Sequence, residues 1–125
     1  MKLPCQITIW YLIPAITAEI VKELKKLGIN QTNIAKALGV TPAAVSQYVS
    51  GKRGRAIQLT PDMRKRIAEI SKEVASGTIG GEQLAREMCE LCITARRKGL
   101  LCDQHSRISN TDYDCGMCLS GHDRK

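Results

Sequence analysis

All but one of the six cysteines in this 125-residue chain lie in its last third. They run Cys89-x2-Cys92, then Cys102, then Cys115-x2-Cys118. Thiols at that spacing can reach one ion together, and folding a single loop of about 22 residues brings two such pairs together around a metal. Tetrahedral sulfur suits zinc or an iron–sulfur cluster. A helical stripe of small apolar residues would account for Cys89 and Cys92 alone. It does not account for Cys115 and Cys118, which lie in the polar stretch DYDCGMCLSGHD. Zinc would be closed by Cys89, Cys92, Cys115 and Cys118, leaving Cys102 spare; a 4Fe-4S cluster can take any four of the five. Cys102-x2-His105 and His122 offer other ligands, although loop histidines read first as exposed side chains. Cys5 reads as a core cysteine near Trp10, its rival role being a further ligand that folds back onto the metal.

The second constellation is residues 31–51, QTNIAKALGVTPAAVSQYVSG. With Gln31 as the first of twenty places, Ala35 falls at five, Gly39 at nine, Val45 at fifteen and Tyr48 at eighteen. Ala35 sits where two helices cross closely. Gly39 ends the first helix in a left-handed conformation that a side chain would penalise. Ile34, Leu38, Val40 and Val45 supply the apolar wedge between the helices. Thr41 followed by Pro42 reads as an N-cap and a first helical residue, because proline has no N–H to lose there.

These residues, with the ending SQYVSGKRG, resemble the Cro and phage-repressor type of helix-turn-helix, the xenobiotic-response-element class of regulators. The resemblance covers about 31–54. It implies double-stranded DNA as partner, with the second helix, 42–50, lying in the major groove. Ala43, Ser46 and Gln47 are expected to point outward, with Val45 and either Tyr48 or Val49 inward. Gln47 suits an adenine edge, Ser46 a base or phosphate, and Ala43 a thymine methyl. Many members of the class carry glutamine where this chain has Pro42, so that base contact does not carry over. Gln31 and Thr32 resemble residues that bind phosphate beside a helix N-terminus, and Thr41 is placed with them at the DNA-facing turn. The cysteines, the LPC opening and the AAVSQY core also resemble small archaeal regulators that join this motif to a C-terminal cysteine cluster of iron–sulfur type.

The formal charge of +7 is clustered, with Lys52, Arg53 and Arg55 directly after the recognition helix and Arg64, Lys65 and Arg66 soon after. Cations placed there suit phosphates. The elements that must hold these groups read as helical. Ile7, Trp10, Tyr11, Pro14, Ala18 and Val21 recur at near-helical spacing, giving one kinked helix or two abutting ones, with a short strand as the alternative before Pro14. A further helix is expected from Thr60, its N-cap, to Ala75, burying Ile67, Ile70 and Val74. Residues 76–81, SGTIGG, read as a hinge. A last helix, 82–98, would bury Leu84, Ala85, Met88, Leu91, Cys92 and Ala95. Its stripe exceeds what a short tail could cover and makes it a candidate dimer element.

The expected fold is therefore all-α: a helical bundle containing a helix-turn-helix, 1–76, a hinge at 77–81, and a helix with a small cysteine-rich metal-binding segment, 82–125. The apolar run 7–18 is broken by Pro14 and shorter than the roughly 20 residues of a spanning helix, so no membrane segment is expected and the reading is cytoplasmic. A redox dithiol enzyme would place CxxC beside a βαβ pattern, which is absent, and no small-molecule substrate is evident. The function expected is a homodimeric, DNA-binding transcription regulator whose thiolate-ligated group is a redox or metal sensor or a structural site. The alternative is a nucleic-acid-binding or protein-interaction adaptor with structural zinc.

Overall fold

The computed structural model describes residues 8–52, 54 and 57–98. Among these the chain is helical, with no strand. A π-helical turn, Thr8–Leu12, leads into α1, Ile13–Lys26; α2, Gln31–Leu38, α3, Pro42–Ser50, α4, Pro61–Ala75, and α5, Gly81–Arg97, follow. The π turn ends two residues before Pro14, which has no N–H to return to the Trp10 carbonyl. Widening at such a break lets the helix continue, so the described part of the segment before Pro14 is helical and not the alternative strand.

α1 is the axis of the fold, packing against both α3 and α4. Its buried side is Ala15, Ile16, Ala18, Ile20, Val21 and Leu24, and the Thr17 hydroxyl satisfies itself by donating to the Ile13 carbonyl at 2.8 Å. Leu12, Ile34 from α2, Val45 from α3, and Ile67 and Ile70 from α4 are fully buried beside them. Each such side chain contributes roughly 1.5–3 kcal/mol on leaving water. α4 begins where its cap predicts: the Thr60 Oγ1 accepts from the Met63 N–H at 3.2 Å, and Pro61 is the first helical residue. Val74, expected in the buried stripe with Ile67 and Ile70, is only half-buried.

α5 departs from the sequence reading in its partners. Leu84, Leu91 and Ala95 enter the same core as α1 and α4, Met88 and Cys92 pack half-buried against it, and Ala85 is exposed. Arg66 of α4 donates to the Glu87 carboxylate of α5 at 2.8 Å. The Glu87 carboxylate oxygens hold the Arg66 pKa above its ordinary value, against a smaller opposing effect of burial. Residues 76–80 thus connect two packed helices, and α5 joins the helical core. The apolar stripe that made it a dimer element is largely spent within the chain. Spacing alone shows that a stripe exists without showing what covers it. No helix among the described residues is long and apolar enough to cross a membrane.

Candidate nucleic-acid interface

The α2–α3 pair is fixed by local chemistry at each end. Asn30 caps α2, its Oδ1 accepting from the Asn33 N–H at 2.8 Å. Gly39 ends α2 at φ 68 and ψ 32, and the following Val40 N–H returns to the Ala35 carbonyl at 3.0 Å. Thr41 caps α3, accepting from the Ala44 N–H at 3.1 Å, with Pro42 next. Ile34, Ala35, Val45 and Tyr48 are buried between the helices, with Leu38 and Val40 at the margin. The Gln31 Nε2 donates to the Pro42 carbonyl at 2.7 Å, tying the start of one helix to the start of the other.

The outer face of α3 consists of Pro42, Ala43, Ser46, Val49 and Ser50, all exposed. Ala43 and Ser46 lie where the helical wheel puts them. Tyr48, not Val49, is the residue turned inward, and Val49 is 44 % exposed. Gln47 differs from expectation: it is half-buried, and its Oε1 is buried without a hydrogen-bond partner among the described residues. Its long side chain can fold back toward the core, which the position of its Cα on the wheel does not reveal. Gln31, Thr32 and Thr41 are exposed on the side where the two helix starts meet. Lys52 is exposed just beyond α3, its N–H bonded to the Gln47 carbonyl at 2.9 Å, while Arg53 and Arg55 lie outside the described residues.

Gly54 seats this end of the interface on α1. It has φ +79, and a Cβ built there would stand 2.5 Å from the Pro14 carbonyl oxygen and 2.6 Å from the Ala18 Cβ. The turn after α3 therefore lies flat on α1, and only glycine fits. By contrast two of the three cations of the second basic cluster are paired within the fold. Arg64 pairs with Glu19 of α1 at 3.7 Å and Arg66 with Glu87. Their partners are distant in sequence, so charge counting along the chain did not anticipate this.

Two residues of the candidate interface escaped sequence reasoning. Asn30 had a signal, a capping residue type directly before the helix start. Val49 had only a wheel position intermediate between faces.

Of the cysteines, Cys89 is exposed and Cys92 half-buried, one helical turn apart on α5. Burial pushes the Cys92 thiol up to about 11, helped by Cys89 and opposed by Arg96. The pair fits half of a four-thiolate set, and among the described residues no group of three or more metal-ligating side chains forms. Cys5, Cys102, Cys115, Cys118, His105 and His122 lie outside the described residues. The α5 helix that carries the pair also lines, through Leu84 and Met88, a groove of about 310 Å³ against Leu38 and Gly39 at the helix-turn-helix turn.

No curated protein and no solved structure matches this chain. A helix-turn-helix family model does match, over residues 20–57, which takes in the second half of α1, both motif helices and the turn seated on α1. The cap at Thr41, the left-handed Gly39 and the buried wedge give that match its physical content: the segment is a helix-turn-helix, similar to those of the Cro and phage-repressor class.

Proposed function

We propose that this protein is a transcription regulator that binds operator DNA as a homodimer and carries a cysteine-ligated iron–sulfur cluster or zinc at its C-terminal end. The observation that supports it most is the α2–α3 unit itself: capped, wedged apart at its turn, and open on the outer face of α3. In this reading α3 enters the major groove, where Ala43 and Ser46 meet base edges. Gln47 joins them once its carboxamide turns outward, an excursion favoured by its unsatisfied Oε1, since a buried acceptor without a partner costs roughly 1–3 kcal/mol. Gln31, Thr32, Thr41 and Lys52, with Arg53 and Arg55, hold phosphates and set the register. One recognition helix reads only a few base pairs, so two copies are required, with half-sites about 34 Å apart.

Cys89 and Cys92 supply two ligands of the metal site, and Cys102, Cys115 and Cys118 the remainder. Bound there, the group would tie the tail to α5 and, if iron–sulfur, make that tie sensitive to oxidation. The shared groove between α5 and the end of α2 gives ligation on α5 a neighbour in the helix-turn-helix.

Binding of the full chain to duplexes selected from a random pool, to random duplex and to RNA, each measured across salt concentrations, tests the DNA reading. Equal affinities for all three would sink it in favour of a non-specific nucleic-acid adaptor. Metal analysis of anaerobically purified protein tests the other half: about four irons per chain favours a sensor, and one zinc a structural site.

A further inference from the structure

α3 contains no charged side chain. It therefore has no arginine or lysine to place on O6 and N7 of guanine, the commonest specific contact in the major groove. What it offers instead is small. Pro42, Ala43, Ser46, Val49 and Ser50 are its exposed residues, and the Ser50 hydroxyl is already engaged by the Gln47 carbonyl at 3.2 Å. Ala43 in the first turn and Val49 in the last each end in methyl groups, three residues to either side of Ser46. The buried side of α3 is already filled by Val45 and Tyr48, so the 44 % exposure of Val49 serves no packing need within the described fold.

In the major groove one base presents an apolar group, the C5-methyl of thymine. The only carboxamide on α3, Gln47, is complementary to the N6 donor and N7 acceptor of adenine, the partner of that thymine. We propose that α3 reads A·T pairs, chiefly by seating thymine methyl groups against Ala43 and Val49. This rests on the DNA-binding reading and adds the base composition of its target. It also distinguishes the two ends of the interface, with α3 discriminating bases by shape and the Lys52 end supplying charge.

The test uses the full chain. Half-sites are enriched from a randomised duplex pool, and each thymine of the enriched half-site is then replaced singly by uracil, which deletes the methyl and keeps the pairing. Expected are A·T-rich half-site centres and, at one or two positions, a rise in Kd of about fourfold, the worth of one buried methyl. Val49→Ala, a change on an exposed helical position, should abolish the uracil effect at one position while the helical circular dichroism of the protein stays as it was. G·C-rich half-sites, or no uracil moving Kd by more than about 1.5-fold, well below the value of one methyl, would overturn the inference while leaving DNA binding intact. Enrichment of no sequence at all would overturn the operator reading and this inference with it.

Discussion

Replacing Gly54 by alanine isolates how the recognition helix is held to the rest of the molecule. The backbone there has φ +79, and the added Cβ would lie 2.5 Å from the Pro14 carbonyl oxygen and 2.6 Å from the Ala18 Cβ. Left-handed backbone costs an L-residue about 1–2 kcal/mol. The overlap is with backbone and with a β-carbon of α1, neither of which can swing aside, so helix α1 or the turn must shift, adding about 1–3 kcal/mol as in other overpacked sites. The sum, about 2–5 kcal/mol, is a large part of a typical domain's net stability of roughly 5–15 kcal/mol. Gly39→Ala is the control. Its φ is +68 but nothing lies within 4 Å of the new Cβ, so only the backbone cost of about 1–2 kcal/mol remains. Urea unfolding of both variants, followed by helical circular dichroism, should give a midpoint for Gly54→Ala lower than that of Gly39→Ala by on the order of 1 M, given slopes of roughly 1–3 kcal/mol per molar. If the two variants unfold within about 0.5 kcal/mol of each other, a difference no larger than an ordinary surface substitution makes, the close seating of the turn on α1 is wrong.

Other expectations are more local. Gln31→Ala removes the 2.7 Å bond to the Pro42 carbonyl and should cost about 0.5–1.5 kcal/mol in urea unfolding; a neutral result would mean the two helix starts need no tie. Glu87→Gln keeps the shape and removes the charge opposite Arg66, so stability should fall by up to about 1 kcal/mol at low salt and by less at high salt, a salt trend whose absence would count against the pair. In metal-free protein at pH 8, brief alkylation followed by peptide mass mapping should label Cys89 well before Cys92, whose thiol is half-buried and pushed up to about 11; the reverse order would contradict that placement.

Wherever the determinant is local, the sequence was enough. Gly39, Thr41 with Pro42, and Thr60 with Pro61 mark helix ends through backbone chemistry confined to a few residues, and α3 and α4 end where those signals and their apolar stripes place them. The wedge of Ile34 and Val45 was legible for the same reason. What could not be read is pairing between distant segments. Arg64 and Arg66 looked like part of a polyanion site until Glu19 and Glu87 took them, and those partners lie on other helices. The stripe of α5 was visible and its destination was not. Gln47 and Val49 show a finer failure, because a helical wheel fixes where Cα points while a flexible carboxamide or a borderline position decides what solvent meets.

The placement of α5 bears on where this protein can be divided. Leu84 and Leu91 together hold roughly 3–6 kcal/mol of burial, about the lower bound of a domain's whole net stability. A fragment cut at the glycines after Ser76 would keep the entire DNA-reading surface yet leave part of the core facing water, and it should aggregate before it binds anything. The shortest autonomous binder must run through Arg97, and so it takes Cys89 and Cys92 with it. Losing the downstream cysteines would strand this pair of thiols on α5; shedding the pair as well would require rebuilding the core.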